Sequence, residues 1–337
     1  MLTATTEPHS DPTAAHERLS ILVAVRGGSS LNPALEWAAR RARDTDRALM
    51  LVHAVPSADL IPPGTRYGPI VERGEALLQA EAVRIEARLP GLRTTTYLHY
   101  GDVVHALVGL SAGASLLVVG ADRMNTQTGV FQGSVAIEIA QGSGAPVLIV
   151  PTGHRGGGQN GTGPGHVVTG VDGSAESYAA LRRAAFEANR MQTPLRVVAA
   201  VRPSSPVDEA RTFSTSAILI ALRTAYPSLI VNWIVDTVHA PARALARHSR
   251  DASLLVIGRH GKGARAGMEL GSVTHAVLLR PPCLTLVIPS PSPTDINRHL
   301  SVSTREHVPT FAPKPLVRRV QSAMAANAQM HEAKLER

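Results

Sequence analysis

Cysteine is almost missing from this 337-residue chain: Cys283 is its one instance, so no intrachain disulfide can form. A lone thiol fits a reducing compartment and excludes the disulfide frameworks of small secreted domains. Aromatic residues make up only 3% of the sequence, which leaves Val, Leu, Ile and Ala to fill any core. Aliphatic runs of that kind favour strands buried on both faces over a half-exposed antiparallel sandwich. No uninterrupted apolar run reaches the roughly 18 residues that a membrane-spanning helix needs. The N-terminus carries Glu7, Asp11 and Glu17 and has no apolar signal core. A soluble, cytoplasmic protein with no membrane partner is therefore expected. Lysine is scarce too, with only Lys262, Lys314 and Lys334, so arginine carries the net charge of +8. The arginines alternate with alanine, as in Arg40-Arg41, Arg182-Arg183 and Arg243/Arg247, which is the pattern of solvated helix faces. No aromatic RNP pattern or zinc-ligand spacing accompanies them, which argues against a nucleic-acid surface and a metal centre.

What is present is a duplication. The segment from Ile21 to Gly28 recurs from Val167 to Ser174, and each copy leads into an alanine-rich helix. Ala114 to Gly120 recurs as Ala252 to Gly258, and each is followed by a loop ending in Gly-Ser-Val, at 133–135 and 271–273. Each copy closes on a short apolar strand ending in proline, Val147 to Pro151 and Leu284 to Pro289. Between the copies lies a stretch too rich in glycine to hold a packed element. The expected organisation is a disordered N-terminus over 1–18, a domain over 19–151, a linker over 152–165, a second domain over 166–289, and a Pro-rich tail over 290–337. From Leu316 to Leu335 the tail has a weakly amphipathic pattern that fits a solvated or docking helix.

Within each copy, apolar runs alternate with helical patterns, which predicts βαβ units and a parallel sheet. In the second copy strands are expected near 167–171, 195–200, 229–235, 253–257 and 284–288, with helices near 175–190, 209–225, 240–249 and 272–279. The fold class is α/β, as two tandem doubly wound domains flanked by helices. Such sheets bind ligands beyond the carboxyl ends of their strands, so Asp172 and Gly258 should face one crevice.

The loop after Gly258 carries the candidate chemistry. Gly258 would let a ligand approach the backbone, and Gly261 and Gly271 could take positive φ and turn N–H groups toward a phosphate. Ser272 stands where a helix starts, so its hydroxyl and the first free N–H groups would form an anion site. Lys262 suits a phosphate counter-charge, with Arg259 and Arg265 nearby. A plain turn and helix cap would use the same glycines and serine. No Gly-Lys-Ser/Thr ending follows, so this is not a P-loop.

The spacing Gly258-x2-Gly261-x9-Gly271-Ser272 resembles the nucleotide-binding signature of the universal stress protein family. Val171-Asp172-Gly173-Ser174 with Ser177 resembles the family's opening after its first strand, and Arg280-Pro281-Pro282-Cys283 its approach to the last. The resemblance covers roughly 19–151 and 166–289. It implies five parallel strands in the order 3-2-1-4-5 and, in the ATP-binding branch, a role for each matched residue. Asp172 would contact the adenosine part. Gly258, His260, Gly261, Gly271, Ser272 and Val273 would surround the ribose and phosphates; His260 falls at a position that varies in the family. The implied function is that of an ATP-binding, stress-response regulatory protein, with or without Mg²⁺. The two domains would pack on each other through their closing strands, and pairing of two chains is left open. A slow ATPase or adenylyl-handling enzyme is the alternative, and a scaffold without nucleotide is another. Only Asp172 offers a carboxylate at the expected site, so no catalytic residue is assigned and weak ATP hydrolysis is the most that is expected.

The copies differ where the ligand would sit. Arg26 stands at the position of Asp172, and Arg123 at that of Gly261, while Gly133 and Ser134 are kept. ATP is therefore expected mainly on the second domain, with the first binding it weakly or not at all, or refitted to another anion.

Overall fold

The computed structural model describes residues 20–26, 32–121, 134–151, 165–200, 219–262 and 270–290. The expected segment 1–18, nearly all of the linker and the tail beyond Ser290 lie outside them, as does most of the expected helix at 209–225, of which helical residues 219–225 are described.

In the first repeat, strands β1 (Ser20–Ala24), β2 (Leu49–Val55), β3 (Thr94–Tyr100), β4 (Ala114–Ala121) and β5 (Val147–Pro151) alternate with helices. The helices are α1 (Pro33–Asp44), α2 (Gly68–Arg88), α3 (Val103–Ser111) and α4 (Ser134–Gly142). The second repeat follows the same plan. Its strands are β6 (Val167–Gly170), β7 (Leu195–Ala200), β8 (Val231–Asp236), β9 (Leu254–Gly258) and β10 (Thr285–Ile288). Its helices are α5 (Ala175–Arg190), α6 (Pro241–His248) and α7 (Ser272–Leu279). Element positions agree with the sequence pattern to within two residues at each end of the second-repeat strands.

The ten strands of the described residues belong to one sheet, ordered β3-β2-β1-β4-β5-β10-β9-β6-β7-β8. Each half has the 3-2-1-4-5 order, and strands within a half pair in parallel. The halves meet where β5 and β10 pair antiparallel, with Leu148 opposite Leu286, Ile149 opposite Thr285 and Val147 opposite Val287. The two five-stranded sheets of the sequence reading are thus one continuous sheet, because the closing strands have free edges that satisfy each other's backbone groups.

Side chains alternate across the sheet, as the pleat requires. Ile21, Val23 and Val25 face a core shared with α1, α2 and α5. Leu22 faces the opposite core, with α3, α4, α6 and α7. Small residues let α1 and α5 lie close on the sheet: Ala34, Ala38, Ala39 and Ala42 in one, and Ala180, Ala184, Ala185 and Ala188 in the other, are buried. Helix α1 starts on a proline behind Asn32, whose side-chain oxygen accepts from the Leu35 N–H at 3.2 Å, a normal N-cap. No helix among the described residues is long and apolar enough to cross a membrane.

Candidate nucleotide site

Strand β6 sits at the centre of its half, where the strand order reverses, and β9 lies beside it. The carboxyl ends of these two strands therefore open onto one crevice. From β6 the chain passes through Val171 and Asp172 to Gly173, at φ 87°. That left-handed step suits glycine. It turns Ser174 back so that Asp172 Oδ1 accepts from the Ser174 N–H at 3.0 Å and from its hydroxyl at 2.6 Å. Ser174 is the N-cap of α5 and accepts from the Ser177 N–H at 3.1 Å.

The other carboxylate oxygen reaches across the crevice. Asp172 Oδ2 accepts from the Lys262 N–H at 2.6 Å. Loss of hydration around the carboxyl would raise its pKa, but the Ser174 hydroxyl and the N–H groups of Lys262 and Ser174 outweigh that and hold it below the usual aspartate range. Asp172 is thus ionised at neutral pH and ties the end of the first strand to the glycine loop.

The glycines serve a different purpose from the one the sequence suggested. Gly261 and Gly271 do not adopt positive φ; Gly271 is extended, at φ −65° and ψ 144°. What each requires is the absence of a side chain. A Cβ on Gly261 would lie 2.5 Å from Asp172 Oδ2. On Gly258 it would lie 3.0 Å from the His260 carbonyl and 3.1 Å from Glu176 Cβ, so protein rather than ligand occupies that space. On Gly271 it would meet His260 Cα at 3.2 Å and the Arg259 carbonyl at 3.3 Å. The loop folds back on itself, with the Gly271 N–H donating to the Arg259 carbonyl at 3.0 Å.

Helix α7 begins just beyond. Its N-cap is Gly271, which has no side chain to cap with, and Ser272 is the exposed first helical residue. Capping by the Ser272 hydroxyl, the plain alternative to an anion site, is absent for that reason. The first N–H groups of this helix have no side-chain acceptor among the described residues and lie next to the exposed Ser272 hydroxyl. Val273 is half-buried and packs on the core beneath. His260 pairs its Nδ1 with the Ser290 hydroxyl at 3.1 Å. Lys262 is exposed and enters this geometry through its backbone N–H. Residues 263–269, including Arg265, lie outside the described residues.

Two contributors escaped the motif reading, and a third, Arg259, was expected only as a nearby positive charge. Glu176 packs on Gly258. Thr274 is buried and donates its hydroxyl to the Gly258 carbonyl at 2.7 Å, tying α7 to the end of β9. Arg259 bonds through Nη2 to the Ser143 carbonyl of the first repeat, while its N–H donates to the Ile288 carbonyl at 2.8 Å. A threonine two residues into a helix after Gly-Ser signals such a tie; the Arg259 contact has no local sequence signal. Thr274→Val should cost about 1–2 kcal/mol, the usual effect of leaving a buried acceptor unpaired. Urea unfolding measures it.

The counterpart in the first repeat is built differently. At Gly120, equivalent to Gly258, an added Cβ would have no atom of the described residues within 4 Å. Arg26 is exposed at the end of β1, while Arg123 and Gly133 lie outside the described residues.

Comparison with known sequences agrees with this repeated architecture. The profile described as the universal stress protein family matches residues 18–151 and again 164–289. The chain belongs to the universal stress protein family. It is 29% identical over 303 residues to a universal stress protein of Mycobacterium tuberculosis, covering 79% of this chain and 93% of that one. It is 30% identical over 276 residues to one of Mycolicibacterium smegmatis, covering 76% and 92%. The crystal structure of a universal stress protein from Archaeoglobus fulgidus superimposes with a TM-score of 0.62 at 18% identity, covering 81% of this chain and 98% of that one. At that identity the likeness speaks for the fold alone.

Proposed function

We propose that this universal stress protein is an ATP-binding regulatory protein of the stress response, with the nucleotide held by the second repeat. The observation that carries this is the bond from Asp172 to the Lys262 N–H, which gathers an ionised carboxylate, the Gly258–Gly261 turn and the open end of α7 around one crevice. A carboxylate there can accept from ribose hydroxyls. The N–H groups that begin a helix favour phosphate. In the crevice so defined, Asp172, Gly258, His260, Gly261, Lys262, Gly271, Ser272 and Val273 would line the nucleotide. The Asp172–Lys262 bond is then the contact that a ligand would have to share or displace, which gives nucleotide occupancy a route to the shape of the loop.

The test is to denature the purified full chain and identify released nucleotide. Adenine nucleotide at close to one per chain supports the proposal. A chain that carries none and binds none on titration with ATP, with Mg²⁺ present and absent, contradicts it. Following the bound ATP over hours distinguishes a binder, which keeps ATP, from a slow hydrolase, which accumulates ADP.

A further inference from the structure

The antiparallel register places a pseudo-twofold axis through the middle of the sheet. Leu148 and Leu286 occupy the same position in their repeats and face each other. Their neighbours pair symmetrically about them, Ile149 with Thr285 and Val147 with Val287. A residue lying on such an axis touches its own counterpart in the other repeat.

One charged position does this in the interior. Arg41 of α1 and Glu187 of α5 are 146 residues apart, the same separation as Ile21 and Val167, so they are equivalent positions of the duplication. Arg41 Nη2 donates to Glu187 Oε1 at 2.5 Å, and the side chains are 5% and 3% exposed. Glu187 Oε1 also accepts from Arg183 Nε at 2.8 Å, and Oε2 lies 3.5 Å from Arg190 Nε. In the first repeat the positions of Arg183 and Arg190 are held by Trp37 and Asp44. Trp37 lies under the Arg41 guanidinium, 5.7 Å from it, and the negative charge of Asp44 acts on Arg190.

We infer that the Arg41–Glu187 pair makes the seam selective for unlike repeats, so that first pairs with second and neither pairs in this way with its own kind. If two first repeats met across this axis, guanidinium would face guanidinium in a buried position. If two second repeats met, carboxylate would face carboxylate. Like charges at that depth cannot be relieved by solvent, whereas the unlike charges attract and share a hydrogen bond. An assembly of identical single repeats cannot use complementary charges at a position on its axis, because each residue there faces itself. Duplication followed by divergence removes that restriction. The consequence extends to the candidate site, because the same seam brings Ser143 of the first repeat to Arg259 of the second.

Hydrogen exchange on the full chain tests the inference without depending on nucleotide. R41E gives both repeats a glutamate on the axis. It should speed exchange of the β5 and β10 amides at least tenfold, while the β1–β2 and β6–β7 amides keep their protection. R41E/E187R restores an unlike pair with the signs exchanged, and should regain most of the seam protection. R41M removes the charge without reversing it; it should lie between wild type and R41E, and keeps the comparison available if the reversal does not fold. Unchanged seam exchange in R41E or R41M would overturn the inference, as would a double variant no better protected than R41E.

Discussion

Gly261→Arg is expected to lower the affinity for ATP at least tenfold and to loosen the loop that carries it. Even the first atom of the new side chain would fall 2.5 Å from Asp172 Oδ2, a separation that real Cβ atoms do not sustain. Asp172 cannot simply turn aside, because its other oxygen is held by the Ser174 N–H and hydroxyl. The loop must therefore lift, breaking the Lys262 N–H bond and separating the two sides of the crevice. The remainder of the arginine would then occupy the opening. Gly261→Ala separates these effects: its Cβ alone should weaken binding, by less than arginine does. Titration calorimetry with ATP reads the affinity, and circular dichroism checks that each variant is folded. Full affinity in a folded Gly261→Arg chain would remove the basis for placing the ligand here.

Glu187→Ala should be among the most destabilising substitutions of a charged residue in the chain. It leaves the Arg41 guanidinium buried without its carboxylate, and Arg41 Nη1 is already a buried donor with no partner among the described residues. Breaking one side of a buried ion pair costs about 3–5 kcal/mol, most of it the penalty of an uncompensated charge. Glu187→Gln keeps an acceptor and should cost less. The same carboxylate predicts an acid sensitivity. Burial pushes its pKa up, but the Arg183 and Arg41 charges and their hydrogen bonds hold it below the ordinary glutamate range. A folded-state pKa below the unfolded value of about 4.3 means that stability is fully present above that pH and is lost as pH falls through the folded pKa. Urea midpoints should therefore fall below about pH 4.3 in the wild type, and less steeply in Glu187→Ala.

The fold was legible in the sequence because duplication doubled every signal. Strand positions in one copy could be checked against the other, and alanine-rich helix faces with aliphatic strands leave few alternatives to a parallel sheet. Contact between the closing strands was an implication of the family resemblance, and the joining of β5 to β10 into one sheet was not read from the sequence. At the candidate site the glycines were visible but the structural restriction on them was not. Spacing alone suggested positive φ at Gly261 and Gly271, whereas the restriction is steric: the carboxylate of Asp172 and the backbone of 259–261 fill the space a Cβ would take. The glycine that does use the left-handed region is Gly173, on the other side of the crevice. Contacts such as Thr274 to Gly258, Arg259 to Ser143 and Arg41 to Glu187 join residues from 16 to 146 positions apart, and only the folded chain brings them together.

The divergence of the two copies bears most on function. The second repeat keeps an aspartate after its first strand and a glycine where that aspartate must close on the loop. The first has Arg26 and Arg123 at those positions. Titration of the nucleotide-stripped full chain with ATP examines this contrast most directly. Binding at one site per chain, weakened at least tenfold by Gly261→Arg, is the expected result; two equivalent sites per chain, or no saturable binding at all, would contradict it.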